Sequence, residues 1–557
     1  MSLRLLLLSC CLLLPTACKG EAETQAPALP PTPQVATDSV AQERIAEDVR
    51  TLADDAMQGR MAGTPGHERA AEHVAARMQA AGLKPAGDDG GWFQTVPLLR
   101  STRLREGAQL QVRHRDRDVD LRFEDQFLPQ PDFNVGEARI EAEAVFVRQA
   151  VHAPALGIDD FAGLDVQGKV AVLFNGAPPS LPANPRAHHA AMESKLQTLA
   201  ARGALAAVLV NSAADEAGVP WAVTAGNWQR PGLRLRDAHG AAIDGVPQLR
   251  VVTRVSASAA DLLFDGSGRT ASQVHAAMLA GEPGFALPVR LALASASRIE
   301  PLQSRNVLGR LPGNDTVLAG EAIAWTAHLD HLGEGLAIDG DGIHNGALDN
   351  ALGVAIMLES ARMLADAPRP PRRTLLFAAL TAEEHGLLGA RWLVRQPPAG
   401  LGFVANLNID MPLLLAPSKD VIAIGSEHSS LGDAVAAVAA DLGVDLSPDP
   451  FPEEAAFVRS DQYAFARAGV PALYLDAGVV SADGKRHPEL AQRNFMREHY
   501  HRPSDDLSLP VYWPDAERLA RLAAELGSVI SEADAPPQWN AGDFFQTLAR
   551  DIAPARP

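Results

Sequence analysis

Beyond residue 18 the 557-residue chain has no cysteine; Cys10, Cys11 and Cys18 are its only three. No disulfide can therefore staple the body of the protein, and a catalytic thiol is excluded. After the N-terminal segment there is no apolar run of membrane-spanning length, and no internal repeat. Positive charge is also in short supply, with 49 Lys and Arg against 68 Asp and Glu, a formal net charge of -19. Such a surface repels polyanions and argues against nucleic acid and anionic surfaces as partners. What remains is an ordinary globular composition, 47% hydrophobic and 21% charged, over a length that predicts two or three folded units.

The first residues, "MSLRLLLLSCCLLLPTAC", carry one Arg, a short apolar run and small residues before Cys18. This pattern predicts a cleavable export signal over residues 1–17. "PTAC" resembles the lipobox of bacterial lipoproteins, which implies lipidation of Cys18 and anchoring in the bacterial periplasm or outer membrane; its Pro stands where Leu is usual, and plain secretion is the alternative. Residues 18–40, rich in Pro, Ala and Thr, read as a flexible tether.

Three textures follow. Residues 41–135 open with helical periodicity in "ERIAEDVRTLADDAM" and "HERAAEHVAARMQAAGL", joined by the Gly/Pro loop "QGRMAGTPG". The charged, alternating run "LREGAQLQVRHRDRDVDLRF" predicts a solvated strand pair. Residues 136–292 hold short β-rich pieces such as "GKVAVLFNG" and "ALAAVLVNS", which predict a small inserted β-rich domain. In 293–535 near-continuous apolar strands ("AIAWTAH", "RTLLFAAL", "FVANLNI", "DVIAIG", "PALYLD") alternate with amphipathic helices. That alternation predicts an α/β fold, a mostly parallel mixed sheet sandwiched by helices. Residues 536–557 read as a C-terminal tail.

In this last region acids and histidines fall at strand ends. His328 follows "AIAWTA", Glu383 and Glu384 follow "LLFAALTA", and Asp410 follows "ANLNI". The carboxyl edge of an open α/β sheet is where ligands bind. Asp349, in "HNGALDNALG", precedes a helix, and His501, in "YHRPSDD", lies in a loop. Singly, each has an ordinary explanation as a cap, a turn residue or a surface histidine. Together, His328, His501, Asp349, Glu384 and Asp410 make a nitrogen and oxygen ligand set that suits zinc, manganese or cobalt better than calcium. A two-metal site about 3.5 to 4 Å across needs one bridging carboxylate with further ligands on each ion. Because consecutive extended residues point to opposite sides, one of Glu383 and Glu384 is expected to coordinate metal while the other faces water and substrate. The Asp330 carboxylate, two residues beyond His328, is expected to accept the ring's other N–H. His331, His344, His385 and His499 are read as bystanders or supporting groups.

"HLD", "GALDNALGV", "TAEEHGLLG", "NID" and "YHRPSD", in that order, resemble the M28 family of zinc peptidases. The stretch beginning "LADDAMQGRMAGTPG" is similar to the lead-in of these enzymes, and the β-rich region resembles the protease-associated (PA) domain inserted in many of them. The resemblance implies a zinc-dependent exopeptidase sandwich holding two zinc ions. Asp349 would bridge them, His328 and Asp410 would complete one shell, Glu384 and His501 the other, and Glu383 would be the general base. Where related sequences often carry His, "RSDQYAF" has Gln462, so no catalytic role is assigned there. The implied activity is an aminopeptidase acting on peptide substrates outside the cytoplasm. A carboxypeptidase of the same family is the alternative, with Arg459 or Arg502 taking the terminal carboxylate. A metal-free binding module is a third reading, against which the complete ligand set argues.

Overall fold

The structure, a computed structural model, describes residues 39–552. The expected export signal, Cys18 and residues 18–38 of the tether lie outside the described residues. Ser39 accepts the Gln42 N–H at 3.1 Å and caps the helix Val40–Leu52.

Four strands form the parallel heart of a large mixed sheet: Ala472–Ala477, Gly402–Ile409, Glu321–His328 and Thr374–Leu380, side by side in that order. Asp420–Ile424 joins antiparallel beyond the first, and Phe285–Leu311 antiparallel beyond the last. Every residue from Thr374 to Leu380 is buried, because helices cover both faces. Period-two alternation divides the side chains: Ile323, Trp325, Leu375 and Phe377 face the helices Leu352–Ala365 and Trp513–Glu532, while Ala324, Leu376 and Ala378 face Leu388–Arg395. Trp325 stacks on Phe377 with centroids 4.9 Å apart. Truncating such a core aromatic costs about 3 to 5 kcal/mol. Gly527 makes the fit possible, since a Cβ there would stand 1.9 Å from the Trp325 ring.

A second core gathers Leu110, Phe146, Val172, Val208 and Leu291. Its strands Glu137–Phe146, Val170–Phe174, Ala206–Val210 and Val251–Val255 run parallel, with helices such as Met192–Ala201 and Ala271–Leu279 among them, so the unit is α/β rather than only β-rich. Apolar residues join this core from Leu110 onward, ahead of the texture change near 136. The two cores are linked by a ribbon: Phe93–Arg113 pairs antiparallel with Phe285–Leu311 from Phe93↔Val307 to Arg113↔Arg290, with a break in register between Ala294 and Ala296. The expected strand pair is present where Gln111, Val112 and Arg113 face Asp120, Val119 and Asp118, but it is not solvated throughout: Leu110 and Val112 are buried in the second core. The presumed tail holds the helix Phe544–Ile552, whose Phe545 packs into a cluster with Phe457 and Tyr463.

Candidate active site

The parallel strands deliver His328, the 383–384 turn and Asp410 to one edge of the sheet. His328 is 1% exposed. Its Nδ1 stands 2.9 Å from the main-chain oxygen of Asp330. Donation there fixes the tautomer that leaves the Nε2 lone pair facing outward. Nε2 lies 2.9 Å from Asp410 Oδ1 and 3.1 Å from Asp349 Oδ1. The ring is therefore oriented by a main-chain carbonyl. The Asp330 carboxylate, expected to do this, instead accepts the Glu383 N–H at 3.0 Å through Oδ1. Its Oδ2 is buried without a partner, and burial pushes the carboxyl up to about 7.

A second group forms on the other side of Asp349. His501 Nε2 is 3.1 Å from Glu384 Oε2 and 3.4 Å from Asp349 Oδ2. His331, read as a bystander or supporting group, is fully buried with Nδ1 2.7 Å from Glu384 Oε1 and 3.9 Å from Asp349 Oδ2. All five expected ligands thus converge, and His331 joins them. Asp349 belongs to both groups, one oxygen toward each.

The adjacent glutamates are separated by a turn rather than by strand alternation. Ala382 is left-handed, with φ 56°, and Glu383–His385 form a single 3-10 turn. Glu384 faces the His331 and His501 group. Burial and Asp349 push its carboxyl up, but bonds with the two histidines outweigh them and hold it at about 2. For Glu383, burial pushes the carboxyl well above its usual range; His328 opposes, and Asp410 and Glu384 add to the rise.

Several neighbours hold this arrangement. Asp505 accepts the main-chain N–H groups of Leu348 and Asp349 at 2.9 and 3.0 Å. Asn350 accepts from Gly353 and Met411 and donates to the Ile409 carbonyl at 3.0 Å, tying the Asp349 segment to that of Asp410. Tyr474 donates its hydroxyl to the Asp410 carbonyl at 2.8 Å. Arg60, from the loop "QGRMAG", is 1% exposed and donates to the carbonyls of Leu329, Leu52, Asn345 and Gly346. Burial lowers its pKa to about 10, while Asp505 and Asp349 oppose. Asp461 is fully buried with neither oxygen bonded, and burial pushes it up to about 8. Gln462 is a scaffold residue, donating to the Ala456 and Phe457 carbonyls and accepting from Asn408. Arg459 lines the cavity at its exposed rim, whereas Arg502 is exposed and does not line it. His344, His385 and His499 make no ion pair with the five, and His499 bonds Ser504 at 3.0 Å.

This donor set fits divalent cations. His328, Asp349 and Asp410 form one cluster of metal-ligating atoms, and His331, Asp349 and Glu384 another. Burial disfavours a charged His328, yet Asp410, Glu383 and Asp349 override it and hold the imidazole well above its ordinary pKa. The carboxylates demand a positive charge, and a lone pair aimed between two of them suits a metal ion better than a proton. A cavity of about 780 Å³ opens from this centre.

Residues 306–527 match Peptidase family M28. The matched segment makes up less than half of the chain, and one curated relative, a "Probable zinc metalloprotease" of Pyrenophora tritici-repentis, is 43% identical over 75 residues, 13% of this chain. That match spans 17% of the relative's own length. Among solved structures, the aminopeptidase from Aneurinibacillus sp. strain AM-1 covers 90% of this chain and 98% of its own at 18% identity, with a TM-score of 0.51, and shares the fold. The zinc aminopeptidase BSAP from Bacillus subtilis aligns over 88% of this chain and 95% of its own, at 16% identity and a TM-score of 0.43.

Proposed function

We propose that this protein is an exported di-zinc aminopeptidase that removes N-terminal residues from peptides. The observation that carries the reading is Asp349, whose two carboxylate oxygens face two separate histidine and carboxylate groups, His328 with Asp410 and Glu384 with His501 and His331. The match of residues 306–527 to Peptidase family M28 supports metallopeptidase chemistry, and the names of the similar proteins favour zinc and the amino end.

His328, Asp349 and Asp410 would hold one ion; Asp349, Glu384 and His501 the other, with His331 bracing Glu384. Zinc, when bound, supplies Lewis acidity to the scissile carbonyl and to the attacking water. Glu383 takes the water's proton on its carboxylate and returns it to the leaving amine. Asp330 contributes its main-chain carbonyl, which keeps His328 in the ligating tautomer, and its carboxylate, which anchors the Glu383 turn. The unit built around the second core, read as a PA-like insert, narrows the approach: its Glu193 lines the cavity and pairs with Arg391 and Arg467 at 3.4 and 3.3 Å. Export rests on the N-terminal signal pattern, with Cys18 as the candidate lipidation site.

Metal analysis of the purified protein should find about two zinc equivalents, and chelation should abolish hydrolysis of aminoacyl chromogenic substrates. One observation favours a second reading: Arg459 at the cavity rim has no ion partner among the described residues. Cleavage of N-blocked peptides at their far end would establish a carboxypeptidase. A protein that takes up no metal would be a binding module.

A further inference from the structure

The cavity continues past the metal-ligand cluster along the strand Ala472–Ala477. Tyr474 and Asp476 lie on one face of that strand, opposite Ile424 and Ile422 of the neighbouring strand, and all four line the cavity. Side chains two residues apart on a strand stand about 7 Å apart. Tyr474 bonds the Asp410 carbonyl, and Asp476 stands one such step along the strand from it, just past the Ile409↔Leu475 pair, within the reach of an extended lysine or arginine side chain held at the metal-ligand cluster.

Asp476 is an acidic residue beside the apolar Ile422 and Ile424 on this stretch of wall, which Asp449 also lines. Its one hydrogen bond is to the N–H of Ala477, at 2.6 Å. No lysine, arginine or histidine pairs with it among the described residues. The cationic side chains nearest this end of the cavity are engaged elsewhere: Arg493 with Glu489 and the Phe451 ring, and Arg497 with Glu498. A half-buried carboxyl without a counter-charge is costly, and an incoming ammonium or guanidinium offsets that cost.

Resting on the aminopeptidase reading, we propose that Asp476 is the specificity residue of this pocket, selecting peptides whose N-terminal residue is lysine or arginine. The apolar walls, Ile422 and Ile424, take the methylene stem, and the carboxylate takes the charged head. Burial, with Asp410 and Asp449 nearby, pushes the Asp476 carboxyl up to about 8, so a bound cation would stabilise the anion it needs.

The test compares kcat/KM of the zinc-loaded protein on lysyl, arginyl and leucyl 4-nitroanilides, for the natural chain, Asp476→Asn and Asp476→Leu. The natural chain should favour the basic substrates, and either substitution should lower the lysyl-to-leucyl ratio by roughly 10- to 100-fold. A natural chain that favours leucine, or substitutions that depress all substrates equally, would overturn the proposal; equal depression is the result expected of a structural residue or of a binder for the substrate's α-ammonium. Calorimetric binding of L-lysinol against L-leucinol, which have no amide to cleave, gives a readout without turnover. If no anilide is cleaved, the aminopeptidase reading fails, while tighter binding of lysinol that Asp476→Asn abolishes still supports the basic pocket, and indifference to the side chain still refutes it.

Discussion

Asp505 holds Asp349 by its backbone. The Asp505 carboxylate accepts two successive main-chain N–H groups, those of Leu348 and Asp349, and comes from the same loop that brings His501 to the Asp349 side chain. One loop thus supplies a candidate ligand and braces the residue shared by both metal-ligand groups. Asp505→Ala strands two buried donors, each worth about 1 to 3 kcal/mol. It should lower metal affinity by about 10- to 100-fold, measured by competition with a chromogenic chelator, while Asp505→Asn should lose less.

The adjacent glutamates should separate experimentally. Glu383→Gln is expected to keep full metal content and lose about 10²- to 10⁴-fold in kcat. Glu384→Ala should weaken the occupancy of one ion, seen as a fall toward a single equivalent in metal analysis. Equal metal loss from both variants would contradict the division of labour.

Arg60 is expected to be a stability residue with an effect on the site. Its guanidinium joins four carbonyls from three parts of the chain beneath the Asp349 loop. Arg60→Met leaves them without their donor and removes a charge facing Asp505 and Asp349. A loss of about 3 kcal/mol or more is expected, measured by urea unfolding of metal-free protein.

His67 should make stability depend on pH. It is fully buried, and burial, with Arg60 and Arg305 adding, holds its pKa at about 3. An unfolded histidine titrates near ~6.5. Between these values the unfolded chain binds a proton that the folded chain refuses, so this contribution is complete above pH ~6.5 and declines as pH falls toward 3. By pH 5 about 2 kcal/mol of it has been lost. His67→Gln should therefore flatten the decline of Tm between pH 7 and 5 in chelator, compared with the natural chain.

The strands carrying His328 and Asp410, and the turn carrying the two glutamates, were legible because continuous apolar runs ending in ligand-type residues leave few other placements in a parallel sheet. His331 could have been included: it lies three residues after His328, in "HLDHLG", where the chain has left the strand and doubles back over the same centre. Arg60 and Asp505 fall within quoted motifs, yet nothing local to either shows its role. A Gly-flanked arginine and an acid after Pro and Ser read as loop residues, and only distant carbonyls and amides give them their roles. The rule that a carboxylate orients a ligating histidine failed at Asp330 because the main chain turns back first and offers its own carbonyl. The link between the two cores was missed because it crosses the texture change that suggested a domain boundary, and because residues 105–108 interrupt its pairing.

That ribbon has a mechanical meaning. A ladder of paired backbone running from the Val307 end to the Arg290 end is a stiff hinge plate rather than a string, and its weak line is the unpaired step beside Ala294. Any displacement of the second core relative to the metal-ligand cluster would have to flex this sheet, and the crease beside Ala294 is where the backbone ladder offers least resistance.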